Sequence, residues 1–85
     1  MTKRRFYENI SVVNQNQQIK SDCGDFTVIN SGTSVAILNG VILNAGDQYV
    51  SYANEGELNY SIYTVNFDNA GINQVTVIRK IFQDQ

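Results

Sequence analysis

Two tyrosines and two acids close together in the sequence are the residues of this chain best suited to contact a small ligand. Tyr49 and Tyr52 precede the segment ANEGE, which contains Glu55 and Glu57. Tyrosine rings can stack on sugars while their hydroxyls form hydrogen bonds, so these four residues are predicted to form a possible glycan-binding site. A glycan-binding module is the alternative to the arrangement that we expect, in which the tyrosines pack their rings in the core and leave the hydroxyls at its edge.

Conventional catalytic and metal chemistry is not expected. The chain contains no histidine, which excludes the usual Ser/His/Asp and Cys/His arrangements, and Cys23 is its only cysteine. A single thiol cannot make a four-ligand zinc site. Glu55 and Glu57 could in principle act as a carboxylate pair, or bind calcium together with SDCGD, but neither segment matches a defined calcium loop. We therefore expect no enzyme activity, no metal and no cofactor.

The basic residues are concentrated near the start of the sequence. Lys3, Arg4 and Arg5 are half of the six basic residues, in a chain with a formal net charge of −2. Residues 1–5 are predicted to form a basic arm, and this is the only segment through which contact with nucleic acid is expected. No apolar run is long enough to span a membrane, so no membrane partner is expected.

The hydrophobic pattern predicts an all-β fold in one domain, residues 1–85. Helix-spaced apolar residues are absent, and Val, Ile, Thr, Tyr and Phe dominate the apolar set. About seven short strands with turn signals roughly every ten residues indicate a compact antiparallel β-sandwich or barrel. The predicted strands include residues 5–13, 18–20, 25–30, 48–52, 58–67 and 72–82. In residues 58–67 the apolar side chains change parity, which predicts a bulge near Ile62 and Tyr63.

The segment VAILNGVIL, residues 35–43, predicts a hairpin that is apolar on both faces. A two-residue turn at Asn39 and Gly40 pairs Leu38 with Val41, Ile37 with Ile42 and Ala36 with Leu43. One face can enter the core, and the other, Val35, Ile37 and Ile42, is predicted to be a subunit interface. The alternative is that an arm or loop of the same chain covers this second face.

The segment FTVINSGTSVAILNGVILNAGDQYVSYANEGELNYSIYTVNF, residues 26–67, resembles small all-β virion proteins of tailed bacteriophages, especially phages of Bacteroidota. The resemblance rests on IN, GT and NG turn motifs followed by a tyrosine-rich strand. It implies a structural, oligomer-forming virion protein, such as a capsid auxiliary, decoration or connector component. Its partners would be further copies of itself and other virion proteins, and it would be made in the host bacterial cytoplasm. The resemblance transfers no catalytic or binding residue.

Overall fold

A computed structural model describes residues 4–54 and 57–84, with the side chains of residues 6–54 and 57–81. Within these residues the chain forms eight β-strands and no helix that could cross a membrane. The strands are β1 (Arg4–Val13), β2 (Gln17–Lys20), β3 (Phe26–Asn30), β4 (Ala36–Leu38), β5 (Val41–Leu43), β6 (Gln48–Ser51), β7 (Ile62–Phe67) and β8 (Val75–Asp84).

The strands form two antiparallel four-stranded sheets that pack into a sandwich. Sheet A has the order β1-β8-β3-β6, and sheet B has the order β2-β7-β4-β5. β1 and β8 pair over ten residues, whereas β3 pairs with β8 only as far as Phe26 and Arg79, so the β1–β8 ribbon extends beyond β3. The predicted all-β sandwich is confirmed, and its alternative, a barrel, is not formed.

The core lies between the sheets and follows the period-two alternation of the strands. β3 buries Phe26 and Val28, β7 buries Tyr63, Val65 and Phe67, and intervening positions point outward. This alternation is what two half-buried layers require, because successive strand side chains point to opposite faces. The remaining buried apolar residues are Val13, Ile19, Cys23, Ala36, Leu38, Leu43, Val75 and Val77.

The predicted hairpin forms with the predicted register. Leu38 pairs with Val41, Ile37 with Ile42 and Ala36 with Leu43. The turn residues Asn39 and Gly40 have φ values of 48° and 84°, the left-handed conformation that Asn and Gly adopt most readily. Asn39 Oδ1 also accepts a hydrogen bond of 2.8 Å from the backbone N–H of Thr64, which attaches the hairpin to β7.

The predicted bulge near Ile62 and Tyr63 is wrong, because the chain keeps one register through this region. β7 begins at Ile62, and the pairing of Lys20 with Ile62 continues regularly to an isolated bridge between Cys23 and Asn59. Leu58, Tyr60 and Ile62 therefore all point outward, and each is more than half exposed.

The inner side of that segment is occupied instead by polar residues, the half-buried Asn59 and the exposed Ser61. The buried hydroxyl of Ser21 donates to the backbone C=O of Asn59 at 2.7 Å and accepts from the backbone N–H of Ser61 at 2.9 Å. Buried polar groups are tolerated when they are hydrogen-bonded. The prediction failed because it assumed that the inward positions must be apolar.

Two other predicted boundaries differ from the structure. β8 begins at Val75 instead of residue 72, because Ile72 is held in a loop where its C=O accepts from the N–H groups of Thr33 and Ser34. Arg4 and Arg5, assigned to a basic arm, have backbones that belong to β1. Lys3 lies outside the described residues.

Candidate functional site

One exposed apolar surface is the outer side of sheet A, which we call the sheet A face. Phe6, Ile10 and Val12 of β1 point to this side and are 56%, 63% and 59% exposed. The strand register places Ile10 beside Ile78 and Ile78 beside Thr27, which in turn pairs with Val50, so the row across the sheet is apolar except at the threonine. The half-buried apolar members are Ile29, Val50 and Ile78. Contiguous apolar surface of this kind is typical of association sites.

One end of the sheet A face is polar. Glu8 and Lys80 are direct cross-strand partners, and Lys80 Nζ lies 4.2 Å from the centre of the Phe6 ring. Together with Asp25 and Thr27 these side chains line a hollow of about 380 Å³. The face therefore combines apolar rows with one adjacent pair of opposite charges.

The second apolar surface is the outer side of the hairpin, Val35, Ile37 and Ile42, which we call the hairpin face. Ile42 is 63% exposed, and Val35 and Ile37 are half-buried. Ile37 and Ile42 are direct partners, as predicted, but the next residue across the sheet is Asn66. The hairpin face is therefore narrower than the sheet A face, and its role as an interface stays a prediction.

The sheet A face was not among the residues predicted as an interface, although part of its signal is present in the sequence. Phe6, Ile10 and Val12 share one parity in the first strand. The sequence does not show that β8 lies between β1 and β3, because these pairings join segments that are far apart along the chain. Strand order therefore decides whether outward apolar residues form a continuous surface.

The structure brings together three of the four residues predicted to contact a ligand. Tyr49, Tyr52 and Glu57 line one open depression of about 370 Å³ between the end of β6 and the segment before β7. Its other lining residues are Ser51, Ala53, Leu58, Asn59, Ser61 and Tyr63. Glu55, the fourth predicted residue, lies outside the described residues. We call this surface the tyrosine depression.

The floor of the tyrosine depression is a packed aromatic and amide network. The Tyr63 ring stacks on Phe26 with centres 4.7 Å apart, and Tyr49 meets Tyr63 edge-on at 5.7 Å. Asn59 Nδ2 donates to the Tyr63 hydroxyl and to Ser51 Oγ, each at 3.2 Å. These contacts fix the side chains at the base of the depression before any ligand arrives.

The two hydroxyls at the base have different acidities. Burial raises the pKa of Tyr63, but the hydrogen bonds that its oxygen receives, from Asn59, from Tyr49 and from two serines, outweigh burial and bring the pKa below its ordinary value of 10.0. The pKa of Tyr49 is raised above 10.0, first by its hydrogen bond to Tyr63 and then by burial. Asn59 Nδ2 donates to the Tyr63 hydroxyl at 3.2 Å, and a hydrogen bond donated to the charged form of a group lowers its pKa.

The remaining candidate residues do not assemble a reactive site. Cys23 is fully buried, and its burial raises the pKa of its thiol above 9.0, which opposes formation of the nucleophilic thiolate. Asp25 accepts a hydrogen bond from the backbone N–H of Ala53 at 2.8 Å, a structural role. Across residues 4–54 and 57–84, no group of three acids or thiols lies close enough together to hold a metal ion.

Comparison of the chain with known protein families, with curated proteins and with solved structures finds no significant match.

Proposed function

We propose that this chain is a structural protein that assembles with copies of itself through the sheet A face. The observation that carries the proposal is the exposure of Phe6, Ile10 and Val12 on one side of β1, where Ile10 is the direct cross-strand partner of Ile78 in β8. Burying such a surface is favourable in proportion to the apolar area removed from water.

A second copy of the chain suits this face because the face is self-complementary. A two-fold axis parallel to the strands and running between β1 and β8 places β1 of each copy over β8 of the other. Glu8 then opposes Lys80, and Ile10 opposes Ile78, since both are cross-strand pairs in one chain. An interface formed about a two-fold axis uses the same patch on both subunits, as this arrangement does. The low net charge of −2 adds little repulsion between copies.

The hairpin face lies on the opposite side of the sandwich and gives each chain a second possible contact. A subunit with contacts on two opposite faces can have neighbours on both sides, which is how extended or many-copy assemblies are built. This geometry, together with the resemblance of residues 26–67 to phage virion proteins, supports a role as a capsid auxiliary, decoration or connector component. Other virion proteins would then be the remaining partners.

The test of self-assembly is the mass of the purified protein in solution. Sedimentation velocity and light scattering, from low to high micromolar concentration, are expected to show a dimer or larger oligomer. A protein that remains monomeric at high micromolar concentration would contradict the proposal. Mass spectrometry of particles purified from the phage that encodes the chain tests the virion role, and absence of the chain from those particles would refute that role alone.

A further inference from the structure

We propose that the tyrosine depression binds a neutral carbohydrate, with Tyr52 as the ring on which the sugar stacks. This site is separate from the sheet A face and the hairpin face, and the inference does not depend on self-assembly.

The rim of the depression presents apolar surface beside polar groups. Tyr52 is 82% exposed and Leu58 is 51% exposed, although the removal of either side chain from water would be favourable. A sugar ring has an apolar C–H face and a polar hydroxyl edge. The exposed Tyr52 ring offers a flat surface for the C–H face, in the way that aromatic side chains present an apolar body and a polar end.

The walls match the hydroxyl edge of a sugar. Apart from Ala53 and Leu58, every lining residue that the structure describes carries a hydroxyl, an amide or a carboxylate. Ser51 and Ser61 already take part in the hydrogen bonds at the base, and the remaining lone pairs of their hydroxyls can accept a hydrogen bond from a ligand hydroxyl. Glu57 is anchored at 2.8 Å by the backbone N–H of Asn54 and adds a strong acceptor.

Charge selects against anionic ligands. None of the described residues that line the depression is basic, and Glu57 is an acid. A phosphate, sulfate or uronic acid would meet no compensating cation there and would be repelled by the carboxylate. A neutral polyol carries no such penalty.

The size and rigidity of the depression are also suitable. Its volume of about 370 Å³ lies at the lower end of the range of about 300–1,000 Å³ that is usual for small-molecule sites, enough for one or two sugar units. The base is held by the Phe26, Tyr63 and Asn59 contacts, so little ordering is needed on binding. In an assembly with many copies, weak individual sites would act together through avidity.

The experiment is an NMR titration of the isotope-labelled full chain with neutral tetrasaccharides of glucose, mannose, galactose and N-acetylglucosamine. Saturable shifts confined to amides around the depression, for at least one of these sugars, are the expected result. A tetragalacturonate and choline serve as anionic and cationic probes. The absence of saturable binding to all four neutral sugars, or tighter binding of either charged probe, would overturn the proposal.

Two matched variants locate the binding. Tyr52→Ala is expected to weaken binding about tenfold or more, because it removes the stacking surface. Tyr60→Ala removes a tyrosine that is 71% exposed but lies outside the depression, and should leave the affinity unchanged. Equal losses in the two variants would overturn the assignment to this site. Neither variant is expected to change the oligomeric state, so failure of the binding prediction is distinguishable from failure of self-assembly.

Discussion

Replacing Ile10 with Asp is expected to dissociate the assembly while leaving the monomer folded. Ile10 lies on the outward side of the edge strand β1, beside Ile78 of β8, and is 63% exposed, an area on the order of 100 Å². At about 25 cal/mol per Å², burial of this area in an interface contributes about 2.5 kcal/mol per copy, or about 5 kcal/mol for a two-fold dimer. Since each 1.4 kcal/mol is a factor of ten, Ile10→Asp should raise the dissociation constant by roughly three to four orders of magnitude. The buried carboxylate would weaken association further.

The chain supplies two isoleucines of nearly equal exposure as controls. Ile72, in the loop before β8, is 64% exposed and belongs to neither face, and Ile42, on the hairpin face, is 63% exposed. Sedimentation velocity on Ile10→Asp, Ile42→Asp and Ile72→Asp, with circular dichroism and urea unfolding to confirm folding, therefore compares one change at three positions. The cost to the monomer should be small, about 1 kcal/mol or less, because all three side chains are largely in water already.

The outcomes separate the possible interfaces. Dissociation by Ile10→Asp with no effect of Ile72→Asp is the expected result. If Ile10→Asp and Ile72→Asp assemble as the wild type does, the self-association assigned to the sheet A face is refuted. If only Ile42→Asp dissociates the assembly, the hairpin face is the interface and the calculation for Ile10 is wrong.

Three further predictions concern stability. Asn30→Ala should lower the free energy of unfolding in urea by about 3 kcal/mol, because the buried Asn30 amide donates to two backbone C=O groups at 2.8 and 2.9 Å and accepts from one N–H; a loss below about 1 kcal/mol would contradict this. Burial raises the pKa of Cys23 above 9.0, so the stability that the protonated thiol contributes is present below pH 9.0 and is lost as the pH rises through the folded-state pKa. Between pH 8 and 10.5 the free energy of unfolding should therefore fall less in Cys23→Ala than in the wild type. Parallel curves for the two proteins would contradict the assignment. Gly32→Ala should lower the thermal midpoint more than Gly40→Ala, because a Cβ at Gly32 would collide with the backbone C=O of Ile72. At Gly40 a Cβ would meet open space, and the only cost is the strain of an alanine at a φ of 84°. Equal shifts of the two midpoints would refute this reasoning.

Local patterns in this chain predict local structure well. The hairpin register followed from the turn at Asn39 and Gly40, because a two-residue turn allows only one pairing of the residues beside it. The all-β class followed from the abundance of β-branched and aromatic residues. Both conclusions depend on residues close together in sequence.

Features that depend on distant pairings were predicted less well. The inward placement of Asn59 and Ser61 could not be read from their segment, since Ser21, their hydrogen-bonding partner, lies about 40 residues earlier. The tyrosine depression was predicted without Asn59 and Tyr63, because these residues reach Tyr49 only through the packing of the two sheets against each other. The sheet A face required the order β1-β8-β3.

The position of β8 in the centre of sheet A has a consequence for how the chain folds during synthesis. β8 is the last of the eight strands to leave the ribosome, yet it pairs with β1, the first, and with β3. All four strands of sheet B are available earlier, while β1 and the β3–β6 pair remain unjoined. Joining them closes a long loop, and such pairing is intrinsically slow. Until β8 arrives, one edge of β3 has no strand paired to it, and unpaired strand edges of this kind make a nascent chain prone to aggregate.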